Sequence, residues 1–433
     1  GLVACGHGGT SMAQWSPALK NQGGNSFYGA MLRRFHKLGQ PVAGMLWYQG
    51  CSDAGMPADY TKNMVGLVAA VRKDFKQPKL PWVVVQIGRV LGEGWAPALW
   101  NSIQEQQRLL VEKIRNLEVV PAGDLELDDM IHIGSKGFPR LADRMARMAD
   151  RLALGNRREA GSIRVKSVRP GIRKTRLGRI YHAIEVAFDN AVGGLQSAGR
   201  PAGFSAVMGE SKNTNPFIKI ELEKDRAILE TMVPAVAVEC MSLHYGFGSD
   251  PYFNITDARG MAVPIFGPVS VGLRKGTAFV TRWQVRPAPP GAAGRTMDYP
   301  AAAVGQPEGG GAAFHNALPD CPGMIMPGQL NEPRTGVYLF RTTFRAARVM
   351  QVKVALGADS PCKVWLNGQV AIAEPAATNP CIPDQYSKTV TLQAGENSLV
   401  VAFDSRNGQG WGFSLRFTPK PPLKVIEEGQ ITI

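Results

Sequence analysis

The chain has 433 residues, more than one ordinary domain holds, so we expect two or three domains. A content of 44% hydrophobic and 19% charged residues is typical of a globular protein and excludes a disordered chain. No apolar run reaches the roughly 18 residues of a membrane-spanning helix, so no membrane insertion is expected.

The formal net charge of +14 raises the question of a nucleic-acid partner. The densest basic stretch, RVKSVRPGIRKTRLGR, has no interleaved aromatic residues, no zinc-ligand spacing and no nucleic-acid-binding motif. We interpret it as a solvated connector or as part of a basic surface, and we expect no nucleic-acid partner.

None of the six cysteines forms a CxxC pair, which argues against a zinc site. Cys362 and Cys381 flank a loop between predicted strands. A disulfide between them and two free thiols are both compatible with the sequence. Cys5 and Cys51 lie at predicted strand ends and are interpreted as buried thiols.

Up to about residue 155, apolar runs alternate with amphipathic helical stretches. The predicted strands are LVAC, PVAGMLWY, PWVVVQIG and LEVVPAG. The predicted helices are SFYGAMLRRFHKLG, DYTKNMVGLVAAVRKDF, LWNSIQEQQRLLVEKIRN and GFPRLADRMARMADRLAL. This alternation indicates a parallel sheet covered on both faces, in which ligands bind at the carboxyl ends of the strands.

From about residue 160 the pattern changes to period-two strands separated by Gly, Pro and Asn, which predicts antiparallel sheets. The tract VRPAPPGAAGRT is typical of a linker. Beyond it, short strands with tight turns at Asn367-Gly368 and Gly395-Glu396 predict a β-sandwich. The predicted units are an α/β domain over 1–158, a β-rich domain over 159–284, a linker over 285–300 and a sandwich over 301–433.

Two motifs at predicted strand ends have residue types used in acyl-transfer chemistry. Asp129 lies three residues before His132, a spacing that lets a carboxylate hold an imidazole as a general base. Gly8 and Gly9 follow the first predicted strand, where backbone N–H groups can turn toward a ligand as in an oxyanion hole. A solvated loop and an ordinary Gly-rich turn are the alternative interpretations.

A third motif ends the strand PVAGMLWY. Gln49 offers a side-chain amide donor and Gly50 a bare backbone N–H. The alternative is that Gln49 caps a turn. All three motifs fall at strand ends of one predicted sheet, which favours a common site.

In this order, GLVACGHGGTSMAQW, WYQGCSDA and DDMIHIGSKG resemble the SGNH-type carbohydrate esterases of the sialate O-acetylesterase and acetylxylan esterase group. LHYGFGSDPYFNITDARGMAVPIFGP resembles the end of the β-domain of sialate O-acetylesterases. The resemblance covers about residues 1–268. It implies a multidomain protein whose first unit is a flavodoxin-like three-layer α/β domain.

The resemblance implies a serine-type acetylesterase that hydrolyses acetyl esters on sugars by a Ser-His-Asp mechanism, with an acetylated carbohydrate as its partner and no metal or cofactor. His132 would be the general base and Asp129 its orienting carboxylate. Gly8 or Gly9 and the Gln49 side chain would donate hydrogen bonds to the oxyanion, and the backbone N–H at position 50 adds a further donor.

The chain departs from the family pattern in two places. Cys51 stands where the family usually has Glu, and we expect altered polarity there without loss of chemistry. The nucleophilic Ser of the family belongs to a segment on the first strand, upstream of the Gly-Gly turn. We therefore expect an N-terminally truncated chain whose first strand and secretion signal precede Gly1, and a secreted or periplasmic protein. Ser11 and Ser52 are poor substitutes because they match family positions that are not the nucleophile, and Ser249 is a poor substitute because it falls in the β-rich segment.

The segments CKVWLNGQVAI, LQAGENSLVVAFD and WGFSLRF resemble galactose-binding-like jelly rolls attached to glycan-active enzymes. In such modules Trp365 and Trp411 would stack on sugar rings, although both are equally compatible with a sandwich core. The alternative function is therefore a non-catalytic glycan-binding or scaffold protein built on a degraded esterase fold.

Overall fold

The computed structural model describes residues 1–288, apart from 93, 175–179, 209–212, 234–237, 239–240, 272–277 and 281–282, and beyond these residues 315–317, 325, 336–374, 381, 384–418 and 423–424.

All α-helices of more than one turn in the described residues lie in the first unit: α1 Phe27–Leu38, α2 Tyr60–Asp74, α3 Pro97–Lys113 and α4 Gly137–Ala153. Local sequence fixes their ends. The Ser26 hydroxyl accepts the Gly29 N–H at the start of α1, and Gly39 ends that helix at φ 69°. Pro97 occupies the first turn of α3, where its missing N–H costs nothing.

The first unit contains a parallel sheet of three strands in the order β1-β2-β3, which are Met45–Trp47, Trp82–Gln86 and Leu117–Pro121. Side chains of β2 alternate between two hydrophobic clusters. Val83 and Val85 join the cluster that contains α4 and the second unit, whereas Trp82 and Val84 join the cluster formed with α1, α2 and α3. Both faces are therefore covered, as the apolar strand sequences predicted.

The predicted first strand, LVAC, is not a strand in the structure. Residues 1–7 carry no strand pairing, and Leu2 is 90% exposed. The next predicted strand is reduced to Met45–Trp47, whose outer edge has no strand partner among the described residues. A strand exists only where its N–H and C=O groups find a neighbour, and hydrophobicity alone does not supply one.

The second unit consists of antiparallel strands in three sheets, ordered β4-β5-β9-β8, β12-β10-β7 and β11-β6. The strands are β4 Arg164–Lys174, β5 Ile180–Asp189, β6 Leu195–Ser197, β7 Phe204–Met208, β8 Phe217–Glu223, β9 Arg226–Thr231, β10 Met241–Tyr245, β11 Ile255–Asp257 and β12 Phe266–Ser270. Their buried side chains continue one cluster with Val83, Val85 and α4, so the first two units share a core.

The third unit has two antiparallel sheets, β13-β22-β17-β20 and β15-β14-β16-β21-β18-β19, with β23 beside β16. Its strands are β13 Ala278–Phe279, β14 Trp283–Pro287, β15 His315–Ala317, β16 Val337–Ala346, β17 Met350–Ala358, β18 Cys362–Leu366, β19 Gln369–Glu374, β20 Tyr386–Leu392, β21 Gly395–Asp404, β22 Phe413–Thr418 and β23 Leu423–Lys424. Both sheets contribute to one buried cluster around Trp283, Phe340 and Phe413.

The hairpin between β18 and β19 turns at the predicted position. Asn367 and Gly368 have φ of 50° and 77°, the pair of positive values that a two-residue hairpin loop requires.

The boundary of the third unit differs from the prediction. Strand β14 lies across the predicted boundary at residue 284 and pairs with β16, and β13 pairs with β22. The sandwich therefore begins before the Pro/Gly-rich tract. The rest of the predicted linker lies outside the described residues. No helix in the described part of the chain is long and apolar enough to cross a bilayer.

Candidate active site

The loop between β3 and α4 holds Asp129 and His132 in direct contact. The Asp129 Oδ2 atom lies 2.7 Å from His132 Nδ1, and Oδ1 accepts the backbone N–H groups of Ile131 and His132 at 2.8 Å each. A backbone bridge between Leu127 and Ile133 closes the loop. The predicted pairing of carboxylate and imidazole is present, and the backbone fixes its geometry.

These hydrogen bonds determine the charge of the carboxylate. The N–H of Ile131, followed by the ring and backbone N–H groups of His132, lowers the pKa of Asp129 to about 2. An ionised carboxylate only accepts, so His132 Nδ1 carries the hydrogen and Nε2 is left as the basic nitrogen. The imidazole is 78% exposed, and no hydroxyl of the described residues is hydrogen-bonded to Nε2.

The predicted Gly-Gly turn is tied together by polar side chains. The hydroxyl of Thr10 donates to the carbonyl of His7 at 2.9 Å and accepts the Trp15 indole N–H at 3.0 Å. Gly9 has φ 66°, a conformation that favours glycine. Within the described residues no acceptor binds the N–H groups of Gly8 and Gly9, so both are available to a ligand.

Gln49 differs from its predicted role. Its side-chain amide donates to the Thr10 carbonyl at 2.9 Å and to the Asp53 carboxylate at 2.5 Å. The amide NH2 group has two hydrogens, and these two acceptors use both of them inside the protein. Gln49 fixes the turn to the Gly-Gly segment and, in this arrangement, offers no free donor to an oxyanion.

Gly50 is buried, with φ 145°. A Cβ atom there would lie 2.7 Å from Gln107 Nε2 and 3.1 Å from side-chain carbons of Ile87 and Ile103. The turn therefore requires glycine. The predicted donor role of its N–H stays a prediction.

Two residues that organise these turns were missed in the sequence. The Asp53 carboxylate accepts the Met12 N–H at 3.1 Å as well as the Gln49 amide, and so joins segments 41 residues apart. Buried Gln107 of α3 donates to the Gln49 carbonyl at 2.8 Å and accepts the Ile87 N–H at 2.8 Å. The amide residues Asn101, Gln104 and Gln107, spaced by three on a buried helix face, were the available signal.

The loop after β2 joins the Asp129–His132 loop to the rest of this sheet edge. The Leu91 N–H donates to the Met130 carbonyl at 2.7 Å, and Arg89 donates to the Leu125 carbonyl at 3.2 Å. Ile131 packs against the same hydrophobic cluster as Trp15 and Cys51. The segments that follow β1, β2 and β3 are thus linked at the carboxyl edge of the sheet.

A groove of about 870 Å³ runs along the outer edge of β1. Its lining includes residues 1–7 and 40–49 together with Val83 and Ala149. Leu46 and Val3 are 49% and 45% exposed beside it. The groove therefore combines apolar walls with an unpaired strand edge.

The three serines considered as nucleophiles make no hydrogen bond to the imidazole in the described structure. The Ser11 hydroxyl binds Gln14 Oε1 at 3.3 Å, and Ser52 is exposed in the turn after Gly50. Ser249 lies at the sheet edge, where its carbonyl accepts the Val90 N–H at 2.9 Å. None of the three hydroxyls is hydrogen-bonded to His132.

Cys5, Cys51, Cys362 and Cys381 are free thiols in the structure, so the disulfide alternative is not realised, and Cys362 and Cys381 are buried. Cys51 is only partly exposed, and burial raises its pKa to about 11. No group of three His, Cys, Asp or Glu side chains converges as a metal site in the described segments.

The two tryptophans of the sandwich differ in exposure. Trp365 is 4% exposed and packs with Leu339, Val400 and Ala402, so its predicted role as a stacking platform is wrong. Trp411 is 58% exposed, and its backbone N–H donates to Asp359 at 2.9 Å. Its role in sugar binding stays a prediction.

Comparison with known proteins gives a family match for the first unit. Residues 1–151 match the family described as "SASA: Carbohydrate esterase, sialic acid-specific acetylesterase". A probable carbohydrate esterase of Arabidopsis thaliana is 28% identical over 151 residues, which are 34% of this chain and 48% of that protein. The chain thus spans about half the length of this curated relative. The expected resemblance to a carbohydrate esterase family is confirmed for this region.

Two solved structures are similar in part. A carbohydrate acetylesterase from Xanthomonas citri has 20% sequence identity and a TM-score of 0.47, covering 60% of this chain and 58% of that one. The structure of the Arabidopsis thaliana protein has 29% identity and a TM-score of 0.29, covering 35% and 59%.

Proposed function

We propose that this protein is a carbohydrate O-acetylesterase in which His132 is the general base and Asp129 orients it. The observation that carries the proposal is an imidazole held at Nδ1 by an ionised carboxylate, with Nε2 exposed at the carboxyl edge of a parallel sheet. The family match over residues 1–151 supports an ester of a sugar as the substrate class.

In the proposed reaction a serine hydroxyl attacks the acetyl carbonyl while His132 Nε2 takes its proton. The N–H groups of Gly8 and Gly9 donate to the oxyanion of the tetrahedral intermediate, each contributing about 3 kcal/mol. The intermediate then releases the sugar hydroxyl, which receives the proton from His132. Water hydrolyses the acetyl-serine by the same proton transfers, and releases acetate. Asp129 stays ionised throughout.

We further propose that the serine belongs to an extended segment outside residues 1–433 that pairs with the free edge of β1. The apolar groove beside β1 supports this, because an unpaired strand edge with apolar walls fits another strand. The serine at the carboxyl end of such a strand would lie between the Gly-Gly turn and His132, where a nucleophile is required.

Hydrolysis of an aryl acetate tests this function. We expect slow turnover by residues 1–433 alone and fast turnover by an extended form in which the proposed serine-bearing segment is joined before Gly1. The variant His132→Ala of the extended form should lose at least about a thousandfold in kcat, whereas Lys166→Gln, a change in a remote exposed ion pair, should lose nothing. If neither form hydrolyses the aryl acetate, the proposal is contradicted. Fast turnover by residues 1–433 that Ser11→Ala abolishes contradicts the external serine.

The exposure of Trp411 favours a second function, glycan binding by the sandwich. The buried Asp359 accepts both the Trp411 and Gly412 N–H groups, so the loop that presents the indole is fixed. A rigid exposed aromatic ring provides contact area at a small entropic cost.

Retention on an insoluble polysaccharide separates this function from the first. We expect Trp411→Ala to reduce retention at least fivefold with an unchanged Tm, because the ring makes few contacts inside the protein. Trp365→Phe is the matched control and should leave retention unchanged. Equal retention by wild type and Trp411→Ala contradicts a sugar platform at this position.

A further inference from the structure

A loop of the second unit covers the carboxyl edge of the parallel sheet. We define this rim segment as residues 246–254. Asn101 of α3 donates to the Gly248 carbonyl at 3.2 Å and accepts the Gly248 N–H at 2.9 Å. The Val90 N–H donates to the Ser249 carbonyl at 2.9 Å. The rim segment is therefore fixed to the elements that surround the proposed active site.

Packing fixes the other end of the rim segment. A Cβ atom at Gly123, just after β3, would lie 2.6 Å from Phe253 and 2.7 Å from Ile265. The backbone after β3 thus approaches the second unit as closely as glycine permits. The loop that continues from Gly123 contains Asp129 and His132. The rim segment and these two residues therefore lie at the same sheet edge.

One ion pair joins the rim segment to this edge. Arg89 Nη1 donates to Asp250 Oδ1 at 2.7 Å, across 161 residues of sequence, and Nη2 donates to the Leu125 carbonyl at 3.2 Å. The side chains are 26% and 48% exposed. Two residues beyond Arg89, the Leu91 N–H binds the carbonyl of Met130, two residues before His132. The pair is thus partly open to solvent beside the loop that carries the base.

We propose that the Arg89–Asp250 pair is a subsite for the sugar ring whose acetyl group is cleaved, an inference that rests on the proposed function. A guanidinium donates hydrogen bonds and a carboxylate accepts them, so the pair matches two neighbouring hydroxyl groups, each of which does both. The second unit thereby supplies Asp250 to a subsite whose other member, Arg89, belongs to the first unit.

The charges around this subsite select neutral sugars. Asp250 neutralises Arg89, and the loop that carries the base adds Asp128 and ionised Asp129. The cations Arg140 and Arg144 of α4 are both bound to Asp124. The loop between β3 and α4 also contains one cation, Lys136, which the acidic residues of the same loop outnumber. A sugar carboxylate near His132 would therefore meet net negative charge, which disfavours acidic sugars relative to neutral ones.

Binding without turnover tests this subsite on the chain of residues 1–433. The probes are a neutral acetylated xylo-oligosaccharide and an O-acetylated N-acetylneuraminic acid, titrated by NMR or calorimetry. We expect wild type to bind the neutral probe more tightly. Asp250→Asn and Arg89→Gln should each weaken neutral binding about fivefold to tenfold at an unchanged Tm. The control is Lys166→Gln, which removes an exposed ion pair between β4 and β5 and should bind the probes as wild type does.

Asp250→Asn also removes one negative charge, so it should narrow the preference for the neutral probe. Neutral binding unchanged in both variants overturns the subsite, as does tighter binding of the acidic probe by wild type or no binding of either probe. The aryl acetate assay measures chemistry and the titration measures recognition of the ring. Either proposal can therefore fail while the other stands.

Discussion

Asp129 accepts three hydrogen bonds from two consecutive residues, and this local arrangement governs its ionisation. Two of the donors are backbone N–H groups, so they remain when the imidazole is removed. The carboxylate is thus prepared to orient His132 by the fold of its own loop.

We expect the carboxyl of Asp129 to titrate near pH 2 in wild type, as its pKa of about 2 requires. In His132→Ala the pKa should rise but stay below the usual value of about 3.9, because the Ile131 N–H is the largest cause of the shift and is retained. The measurement is the ¹³C shift of the carboxyl against pH, assigned by its loss in Asp129→Asn.

The sign of the associated stability effect follows from the lowered pKa. The contribution of Asp129 to stability is fully present at pH values above the pKa of this carboxyl in the unfolded chain. It is lost as the pH falls toward the folded-state pKa of about 2. A carboxyl that titrates at the usual value in wild type would show that the turn is open in solution.

Cys51 should be chemically inert despite its place next to Gly50. Burial raises the pKa of this thiol to about 11, with a smaller contribution from the charge of Asp53, so the reactive thiolate is scarce at neutral pH. We expect negligible alkylation of Cys51 by iodoacetamide at pH 7.5 in the folded protein, and complete alkylation in urea, read by peptide mass spectrometry. Rapid modification of the folded protein would contradict this burial.

At the scale of elements, α3 does more than cover the sheet. Its buried amide face connects the ends of β1 and β2 through Gln107, which binds the Gln49 carbonyl, the Ile87 N–H and the Tyr60 hydroxyl. A helix that satisfies the polar groups of two strand ends positions the turns after them.

We expect Gln107→Leu to destabilise the protein by about 2–4 kcal/mol, because buried partners at Gln49 and Ile87 lose their hydrogen bonds. Glu112→Leu, an exposed change on the same helix, should stay within about 0.5 kcal/mol. Urea unfolding measures both. Equal effects would show that the amide network contributes little.

The elements of the first unit were predictable to the extent that periodicity fixed them. The helix GFPRLADRMARMADRLAL was predicted within one residue of Gly137–Ala153 because its apolar residues follow a single face. LVAC failed because a strand depends on a neighbour that hydrophobicity does not reveal. The facing of Trp365 beside a hairpin turn was likewise ambiguous, and the structure buries it.

The site was predictable where its groups are close in sequence, as in Asp129 and His132. The donor role of the Gln49 amide stays a prediction, because in the structure its hydrogens bind Asp53, four residues away, and Thr10, which lies 39 residues away and is not visible in the local pattern. The Arg89–Asp250 pair spans two units and has no local pattern. Contacts of this length depend on how units pack, which a single sequence does not express.

At the scale of the molecule, buried charge joins the first two units. Arg144 of α4 is 2% exposed, and its Nη1 and Nη2 atoms donate to the two carboxylate oxygens of Asp124 at 2.6 and 2.7 Å. Nη2 also donates to the Gly260 carbonyl of the second unit at 2.7 Å. Because the units also share a hydrophobic cluster, they are expected to unfold together.

We expect Arg144→Met to destabilise the protein by about 3–5 kcal/mol, since it leaves Asp124 buried with one exposed partner. Arg140→Met removes that exposed partner and should cost less than about 1 kcal/mol. Scanning calorimetry of both variants checks the contrast. Similar losses of stability in the two variants would show that Arg140 stabilises Asp124 as much as Arg144 does.

The early start of the sandwich has a practical consequence for dissecting the gene. A fragment begun at residue 301 would lack β14, which leaves a bare edge on β16. It would also lack Trp283, whose ring packs against Phe340 and Phe413. Such a fragment should self-associate through its open hydrogen-bonding groups. One begun near residue 272 retains both early strands and should remain monodisperse in gel filtration.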